Sequence, residues 1–149
     1  PPFLTESSLN TEDDGSFNCK VVVGAPCTDG PVTRNGEEGF LLGALGNVFN
    51  GMLFVDSRND LTAEAVAQLG ELAQQDVPVK SYIVASHDMD IALPEGVELL
   101  IDSMGVVKER LDAKGGTFYL MRPDQLVTAR MRSFDKAAVV AAQNKALAK

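Results

Sequence analysis

The chain contains 149 residues, of which 45% are hydrophobic and 23% are charged, and this balance is typical of a globular domain that buries its own core. Its 13 basic and 21 acidic side chains give a net charge of −8, which argues against broad electrostatic binding to nucleic acid or to anionic membranes. No apolar run reaches the ~20 residues that cross a bilayer, and no basic and apolar leader opens the chain, so we expect a cytoplasmic protein with neither membrane nor nucleic acid as a partner.

Residues 1–39 are rich in turn formers and charges and are predicted to form an N-terminal arm or linker. Within them, residues 11–16 predict a mobile polar loop and residues 19–23 a short extended segment, which Gly and Pro residues then interrupt. The first residue is Pro1 rather than Met, so we expect the chain to continue a longer reading frame or to have been trimmed. The arm is expected either to wrap on the domain that follows or to lead into it from an upstream segment.

Regular structure is predicted to begin near residue 40 and to fill a domain of residues 40–149. Apolar runs predict strands, apolar residues at helical spacing predict helices, and Asn50-Gly51 predicts a turn or bulge. The expected elements are a helical turn at 40–45, a strand at 52–55, a helix at 62–75, strands at 79–85 and 97–101, a helix from 103 to 112, strands at 117–121 and 126–131, and a helix from 135 to 147. This order, βαβ then βα then ββα, predicts an α/β fold of the thioredoxin-like kind, with a mixed central sheet and helices on both faces.

Thioredoxin-like redox proteins place their reactive cysteine where the first βαβ strand meets its helix, because the helix N-terminus lowers the thiol pKa. In this chain that place, here called the corner, is residues 56–61, and it contains no cysteine. Ser57 cannot replace a thiol because its hydroxyl does not ionise near neutral pH, and Asp56 and Asp60 would oppose a thiolate. The cis-proline that usually precedes the hairpin is also missing, since residues 115–117 are Gly-Gly-Thr. We therefore expect no dithiol exchange or peroxidase activity from the corner.

The two cysteines, Cys19 and Cys27, both lie in the arm. Their spacing is not CxxC, and no cluster of histidines and cysteines accompanies them. They are interpreted either as a redox pair or reactive thiol, or as two reduced cysteines without a role in a cytosolic protein.

No catalytic, cofactor-binding or metal-binding residue is assigned in this chain. His87 with Asp88 and Asp90 invites a metal or acid–base hypothesis, but one histidine with nearby acids is not a ligand set, and a polar loop is the alternative. The glycine-rich stretch 43–51 matches neither dinucleotide nor phosphate-loop spacing and predicts turns and close packing. No GxSxG elbow accompanies the histidine.

Arginines and aromatic residues surround the predicted hairpin. The arginines are interpreted as anion-binding groups or as surface ion-pair partners of the many acids. The aromatic residues are interpreted as core or interface packing rather than as a cofactor site. These residues are Arg122, Arg130 and Arg132, and Phe118, Tyr119 and Phe134.

Two segments of the chain resemble a known family. They are residues 24–32 with 39–42, GAPCTDGPV and GFLL, and residues 116–130, GTFYLMRPDQLVTAR. Over about residues 20–145 they resemble the C-terminal domain of the FAD-dependent aromatic-ring hydroxylases, the phenol hydroxylase-like flavoprotein monooxygenases. The most specific match is the Arg122-Pro123-Asp124 turn with Val127 and Arg130, while Cys27, Thr28 and Leu126 depart from the family pattern.

The resemblance implies a parent enzyme that binds FAD and NAD(P)H and hydroxylates an aromatic ring with O₂. The cofactors would bind in upstream domains, so this chain alone would be no enzyme and would serve as a thioredoxin-like structural or dimerisation domain. Its expected partners are the FAD and substrate domains of the parent flavoprotein, and a homodimer is a further expectation. The alternatives are a free-standing thioredoxin- or peroxiredoxin-like thiol protein that uses Cys27, and a free-standing interaction module.

Overall fold

The computed structural model describes residues 9–13 and 15–148. Residues 1–8 of the predicted arm, Asp14 of the predicted loop and Lys149 lie outside the described residues. The elements are β1 (Pro31–Arg34), β2 (Glu37–Phe40), α1 (Leu41–Ala44), β3 (Phe49–Phe54), α2 (Ala63–Ala73), β4 (Val79–Ala85), β5 (Val97–Ile101), α3 (Val106–Arg110), β6 (Phe118–Met121), β7 (Val127–Met131) and α4 (Lys136–Ala146).

The strands form one seven-stranded sheet in the order β2-β1-β5-β4-β3-β6-β7. Strands β3, β4 and β5 are parallel neighbours, as the βαβ pattern requires, whereas β6 and β7 at one side and β1 and β2 at the other are antiparallel. The predicted α/β fold with a mixed central sheet is therefore confirmed.

Side chains alternate between the two faces of the sheet and build two core layers. In β3, Met52 and Phe54 point to the layer that contains residues of α1 and α3, and Leu53 points to the layer that contains residues of α2 and α4. Helices thus cover both faces, as predicted. The first layer also takes in arm residues, so the arm belongs to the core: Phe17, Val23 and Cys27.

Parts of the predicted arm lie along the outer edge of β7, whereas its residues 31–39 form β1 and most of β2 at the opposite side of the sheet. The backbone N–H of Gly24 donates to the Val127 carbonyl at 2.7 Å, and the N–H of Val127 donates to the Ala25 carbonyl at 2.9 Å. Further along the same edge, the Thr11 N–H donates to the Thr128 carbonyl at 3.2 Å. The arm therefore satisfies backbone groups that an edge strand would otherwise expose.

The expectation that regular structure begins near residue 40 is wrong, because β1 and β2 form a hairpin before it. Asn35 and Gly36 form its two-residue loop with φ values of 52° and 77°, the left-handed conformations that a tight hairpin turn needs. β1 then pairs with β5 through Thr33 and Ile101, which adds the hairpin to the edge of the sheet. The segment 19–23, predicted to be extended, forms no strand.

The turn or bulge predicted at Asn50-Gly51 is also wrong, because both residues lie buried inside β3 and pair in regular register with β4 and β6. The Asn50 side-chain amide donates to the carbonyls of Gly46 and Val48 at 3.1 and 2.7 Å, so its polar atoms are satisfied within the core. Gly51 allows the Phe118 ring of the neighbouring strand β6 to lie close to the β3 backbone, because a Cβ at residue 51 would be 2.5 Å from Cζ of Phe118.

Replacing Gly51 with alanine should therefore destabilise the fold. The added Cβ would also lie 2.8 Å from Oγ of Ser81, and both neighbours are fully buried, so we expect a loss of about 1–3 kcal/mol from overpacking. Gly39→Ala is the matched control, because it also lies in a strand and a Cβ there meets nothing within 4 Å. Urea unfolding of the two variants at pH 7 checks this, and equal midpoints would contradict the close packing of Phe118 on Gly51.

Candidate functional site

At the corner, the Asp60 carboxylate accepts hydrogen bonds from backbone N–H groups that precede α2. A single 3-10 turn spans Arg58–Asp60, and Oδ2 of Asp60 accepts the backbone N–H groups of Asp56 and Ser57 at 2.7 and 3.1 Å. The α2 N-terminus is capped separately by the Thr62 hydroxyl. The N–H groups of Asp56 and Ser57, which would otherwise favour an anion, are thus bound by the chain's own acid.

Asp56 ties the corner to two other segments. Its Oδ1 lies 2.6 Å from Nζ of Lys108 in α3, and its Oδ2 accepts the N–H of Gly115 at 3.2 Å. The hydrogen bond from Lys108 holds the pKa of Asp56 below its ordinary value. Gly115 lies close to the Asp60 carboxylate, and a side chain would not fit there because a Cβ at this position would be 2.6 Å from Oδ2 of Asp60.

The segment before the hairpin pairs directly with β3. The Gly116 N–H donates to the Phe54 carbonyl at 2.8 Å, and the Phe54 N–H donates to the Thr117 carbonyl at 2.9 Å. Gly116 has a φ of 95°, and the peptide bonds among the described residues include no cis bond. A glycine in a left-handed conformation therefore stands where the redox proteins carry their proline.

Cys27 lies in the core beneath the arm. It is 6% exposed, and burial, reinforced by the charge of Asp29, raises the pKa of its thiol to about 12. Its backbone N–H donates to the Gln125 carbonyl at 2.9 Å. Such a thiol carries almost no thiolate at neutral pH, so its surroundings favour packing rather than nucleophilic chemistry.

Cys19 is partly buried and lies beside a basic group. Its Sγ is 3.4 Å from Nη1 of Arg130, 3.8 Å from the hydroxyl of Tyr119 and 3.4 Å from the Val21 carbonyl. The guanidinium, however, is already bound by Asp13, whose two carboxylate oxygens accept from Nε and Nη2 at 2.8 and 2.7 Å. Cys19 and Cys27 are both free thiols.

His87 lies exposed in a polar loop. Its Nδ1 is 2.8 Å from Oγ of Ser86, and it lines a cleft of ≈430 Å³ with Arg58 and Asp88. The Arg58 side chain donates to the backbone carbonyl of Asp90 at 2.6 Å, which ties this loop to the corner. Among residues 9–13 and 15–148, no three side chains of His, Cys, Asp and Glu converge on a metal-sized space.

Each of the three hairpin arginines pairs with an acid, as predicted, but Arg130 is 7% exposed, so the expected surface location is wrong for this one. Besides its paired bonds to Asp13, it donates to the Val21 carbonyl at 2.8 Å and lies over the Phe17 ring at 4.5 Å from the centroid. Arg132 lies over the same ring at 3.7 Å and binds the Asp112 carboxylate at 2.7 Å. Arg130 and Arg132 therefore fasten the arm to β7.

The hairpin turn is held by its own charged residues. Arg122 binds the Asp124 carboxylate at 2.8 Å, and the Gln125 N–H donates to the Arg122 carbonyl at 2.8 Å. The Gln125 side chain then donates to the Leu42 carbonyl at 3.1 Å, which joins this turn to α1. The motif residues of this segment thus act as structural contacts.

The aromatic residues of the hairpin pack as predicted. Phe118 lies 5.0 Å from Phe134, and Tyr119 makes edge contacts with Phe17 at 5.7 Å and Phe54 at 6.3 Å, measured between ring centroids. Such pairs add to the stability that their burial provides.

The arm motif is also structural. Oδ1 of Asp29 accepts the N–H groups of Gly30 and Leu42 at 2.9 and 3.1 Å, which joins the arm to the first turn of α1. The Asp29 carbonyl accepts from Arg110 of α3 at 2.8 Å. A Cβ at Gly30 would lie 2.8 Å from a methyl group of Val107, so the motif glycine permits close packing.

Sequence reasoning missed Asp13, Phe17 and Lys108, although each makes a contact that joins distant segments. Asp13 meets Arg130 across 117 residues, and Lys108 meets Asp56 across 52 residues. No local pattern signals such pairs, because the fold alone brings them together.

No protein-family model matches the sequence, and no curated protein matches it. Several solved structures are similar to this chain. Aklavinone-11 hydroxylase, in a ternary complex with FAD and aklavinone, is 22% identical and has a TM-score of 0.69 over 96% of this chain and 26% of that chain. The flavin-dependent monooxygenase PieE, in complex with FAD and substrate, is 14% identical with a TM-score of 0.58 over 98% of this chain and 23% of that chain.

The lipoprotein thioredoxin Etrx1 of Streptococcus pneumoniae is 13% identical, with a TM-score of 0.59 over 78% of this chain and 99% of that chain. The chain has a thioredoxin-like fold. It spans about a quarter of the length of the two flavin enzymes and nearly all of the thioredoxin. None of the helices among the described residues of this thioredoxin-like domain is long and apolar enough to cross a bilayer.

Removing the Lys108 charge should raise the pKa of Asp56 toward its ordinary value. A depressed carboxyl pKa stabilises the fold above the unfolded value of about 3.9, and this contribution disappears as the pH falls through the folded pKa. Lys108→Met should therefore lower stability at neutral pH by less than about 1 kcal/mol, since the pair is half exposed, and the difference should vanish in acid.

NMR titration of the Asp56 carboxyl carbon, with urea unfolding at several pH values, measures both effects. Lys145→Met, in the last turn of α4, is the control that removes an exposed lysine elsewhere. An unchanged Asp56 titration in Lys108→Met would contradict the assignment of Lys108 as the cause.

Cys27 should resist alkylation in the folded chain. In the Cys19→Ser background, where it is the single thiol, iodoacetamide should label it roughly 100-fold or more slowly than in urea, because burial removes both access and thiolate. Mass spectrometry of the time course measures the rates. The Cys27→Ser chain reports Cys19 under the same conditions, and rapid labelling of native Cys27 would support a thiol enzyme instead.

Proposed function

We propose that this chain is the non-catalytic C-terminal domain of an FAD-dependent monooxygenase that hydroxylates an aromatic substrate with NAD(P)H and O₂. The extent of the structural matches carries the proposal. The two flavin enzymes align with 96% and 98% of this chain, whereas the free-standing thioredoxin aligns with 78%. The flavin enzymes thus account for more of the chain than the thioredoxin does, as expected of a domain with the same arm.

The arm contacts support the same proposal. Residues of the two segments that resemble the flavin hydroxylases, Asp29 and Arg130, hold the arm to α1 and to β7. In the proposed parent, the arm is the part of this chain that leads from the catalytic domains.

The chemistry of the corner supports a structural role. Backbone N–H groups of the corner are bound by Asp60, Asp56 is paired with Lys108, and the buried Cys27 thiol is protonated at neutral pH. The alternative of a thiol protein that uses Cys27 requires a thiolate, which these surroundings do not supply.

The glycine-rich stretch 43–51 does not fit a flavin or nicotinamide site. It runs into the buried strand β3, where Gly51 faces the Phe118 ring instead of an open phosphate cradle. We therefore assign FAD and NAD(P)H to other parts of the parent, together with catalysis. The FAD and substrate domains are the proposed partners, and a homodimer is a further proposed assembly.

The length and the cofactor content of the native gene product test this proposal. We expect a polypeptide roughly four times the length of this chain, because the chain covers 26% and 23% of the two flavin enzymes, and we expect it to purify with the absorbance of bound flavin. Intact mass and a visible spectrum measure both. A native product of 149 residues, or a longer one that neither contains nor rebinds FAD, would overturn the proposal.

A further inference from the structure

The two edges of the sheet are treated differently by the chain. The β7 edge is covered by the arm, which exchanges backbone hydrogen bonds with Val127 and Thr128. At the other edge, all four residues of β2 (Glu37–Phe40) are exposed, and among the described residues β2 pairs only with β1. The β2 edge is therefore the open edge of this sheet.

The hairpin geometry shows which backbone groups are free. With a two-residue loop, Arg34 and Glu37 form the hydrogen-bonded pair next to it, so Thr33 and Glu38 direct their backbone groups outward. Thr33 indeed faces β5, where it pairs with Ile101. By the same alternation, the N–H and C=O of Glu38 and the N–H of Phe40 face away from β1.

The side chains at this edge combine an apolar group with unpaired charges. Phe40 is 62% exposed and lies on the same sheet face as Glu38, two residues away. The salt bridges among the described residues leave Glu37 and Glu38 without a basic partner, although Arg34 beside them is bound to Glu98. The surface therefore combines a free backbone edge, the exposed Phe40 and Glu38 on one sheet face, and Glu37 on the other, and it fits a cationic, partly apolar strand.

We infer that the β2 edge binds an extended polypeptide segment that adds to the sheet as an eighth strand, with basic side chains against Glu37 and Glu38 and an apolar side chain on Phe40. Charge complementarity selects this occupant over a second copy of the chain. Two β2 edges brought together would bring four glutamates to one interface between chains that each carry a net charge of −8, and like charges on adjacent strands are unfavourable.

The β2 surface belongs to the chain itself, so binding at this edge does not depend on the flavoprotein proposal. The inferred occupant is a segment of a partner polypeptide, defined by its basic and apolar side chains. The opposite interpretation is that Glu37 and Glu38 only keep other strands away, as charges on short edge strands do. Measurements of peptide binding distinguish these two interpretations of the β2 edge.

Titration with peptides, followed by amide NMR of the ¹⁵N-labelled chain, tests the inference. The capped hexapeptide Thr-Leu-Thr-Lys-Lys-Thr should shift the amides of Glu38 and Phe40 and slow their hydrogen exchange. The matched peptide with two glutamates in place of the lysines should not. A lysine peptide methylated on the backbone nitrogens that face β2 should bind roughly tenfold or more weakly, because it loses the strand hydrogen bonds but keeps its charge.

Variants of the chain give the reciprocal control. The double change Glu37→Lys and Glu38→Lys should reverse the preference between the lysine and glutamate peptides, and Phe40→Ser should weaken binding of the lysine peptide several-fold. All three positions are exposed, so unfolding midpoints close to that of the unsubstituted chain are expected.

Three results would overturn the inference. Equal binding of the methylated peptide would show simple charge attraction, and no shift at β2 with any peptide would show an edge that only repels. Shifts of Glu38 and Phe40 on concentrating the chain alone would identify a second copy as the occupant.

Discussion

The arrangement of the arm on the sheet depends on the hydrogen bonds of one buried group, the Arg130 guanidinium. A charge buried in a core is costly unless it is paired and fully hydrogen-bonded, and here Asp13 and the Val21 carbonyl supply its partners. Both partners lie in the arm. Without the arm, Arg130 would be left unpaired beside the core, and Arg130 and Arg132 would both lose their contact with the Phe17 ring. The arm and the sheet therefore stabilise each other.

Carboxylates hold together the corner of this thioredoxin-like fold. In thioredoxin-like enzymes the N–H groups at the start of the helix stabilise a thiolate. Here Asp60 accepts two N–H groups of the corner, and Asp56 joins the corner to Lys108 and Gly115. Carboxylates thus bind backbone N–H groups at the corner, and residues 56–61 contain no cysteine.

Periodicity predicted the buried parts of the fold. Residues 79–85 and 97–101 are strands with the predicted limits, because continuous apolar runs are characteristic of central parallel strands. The first hairpin was missed because β2 is exposed along its whole length and carries no apolar pattern; its signal was the turn pair Asn35-Gly36. For the candidate site, the sequence alone predicted only that the usual cysteine is missing. The missing cysteine in residues 56–61 is visible in the sequence, but Lys108 reaches the corner only in the folded chain.

The contrast between the two sheet edges limits where a partner can bind. The β7 edge cannot accept a strand while the arm occupies it, and releasing the arm would unpair Arg130 and uncover Phe17 and Cys27. The β2 edge needs no such rearrangement, since its outward backbone groups and the Phe40 ring already face solvent. A partner that adds a strand to this sheet therefore meets a small free-energy cost at β2 and a large one at β7, so the arm determines which edge stays available.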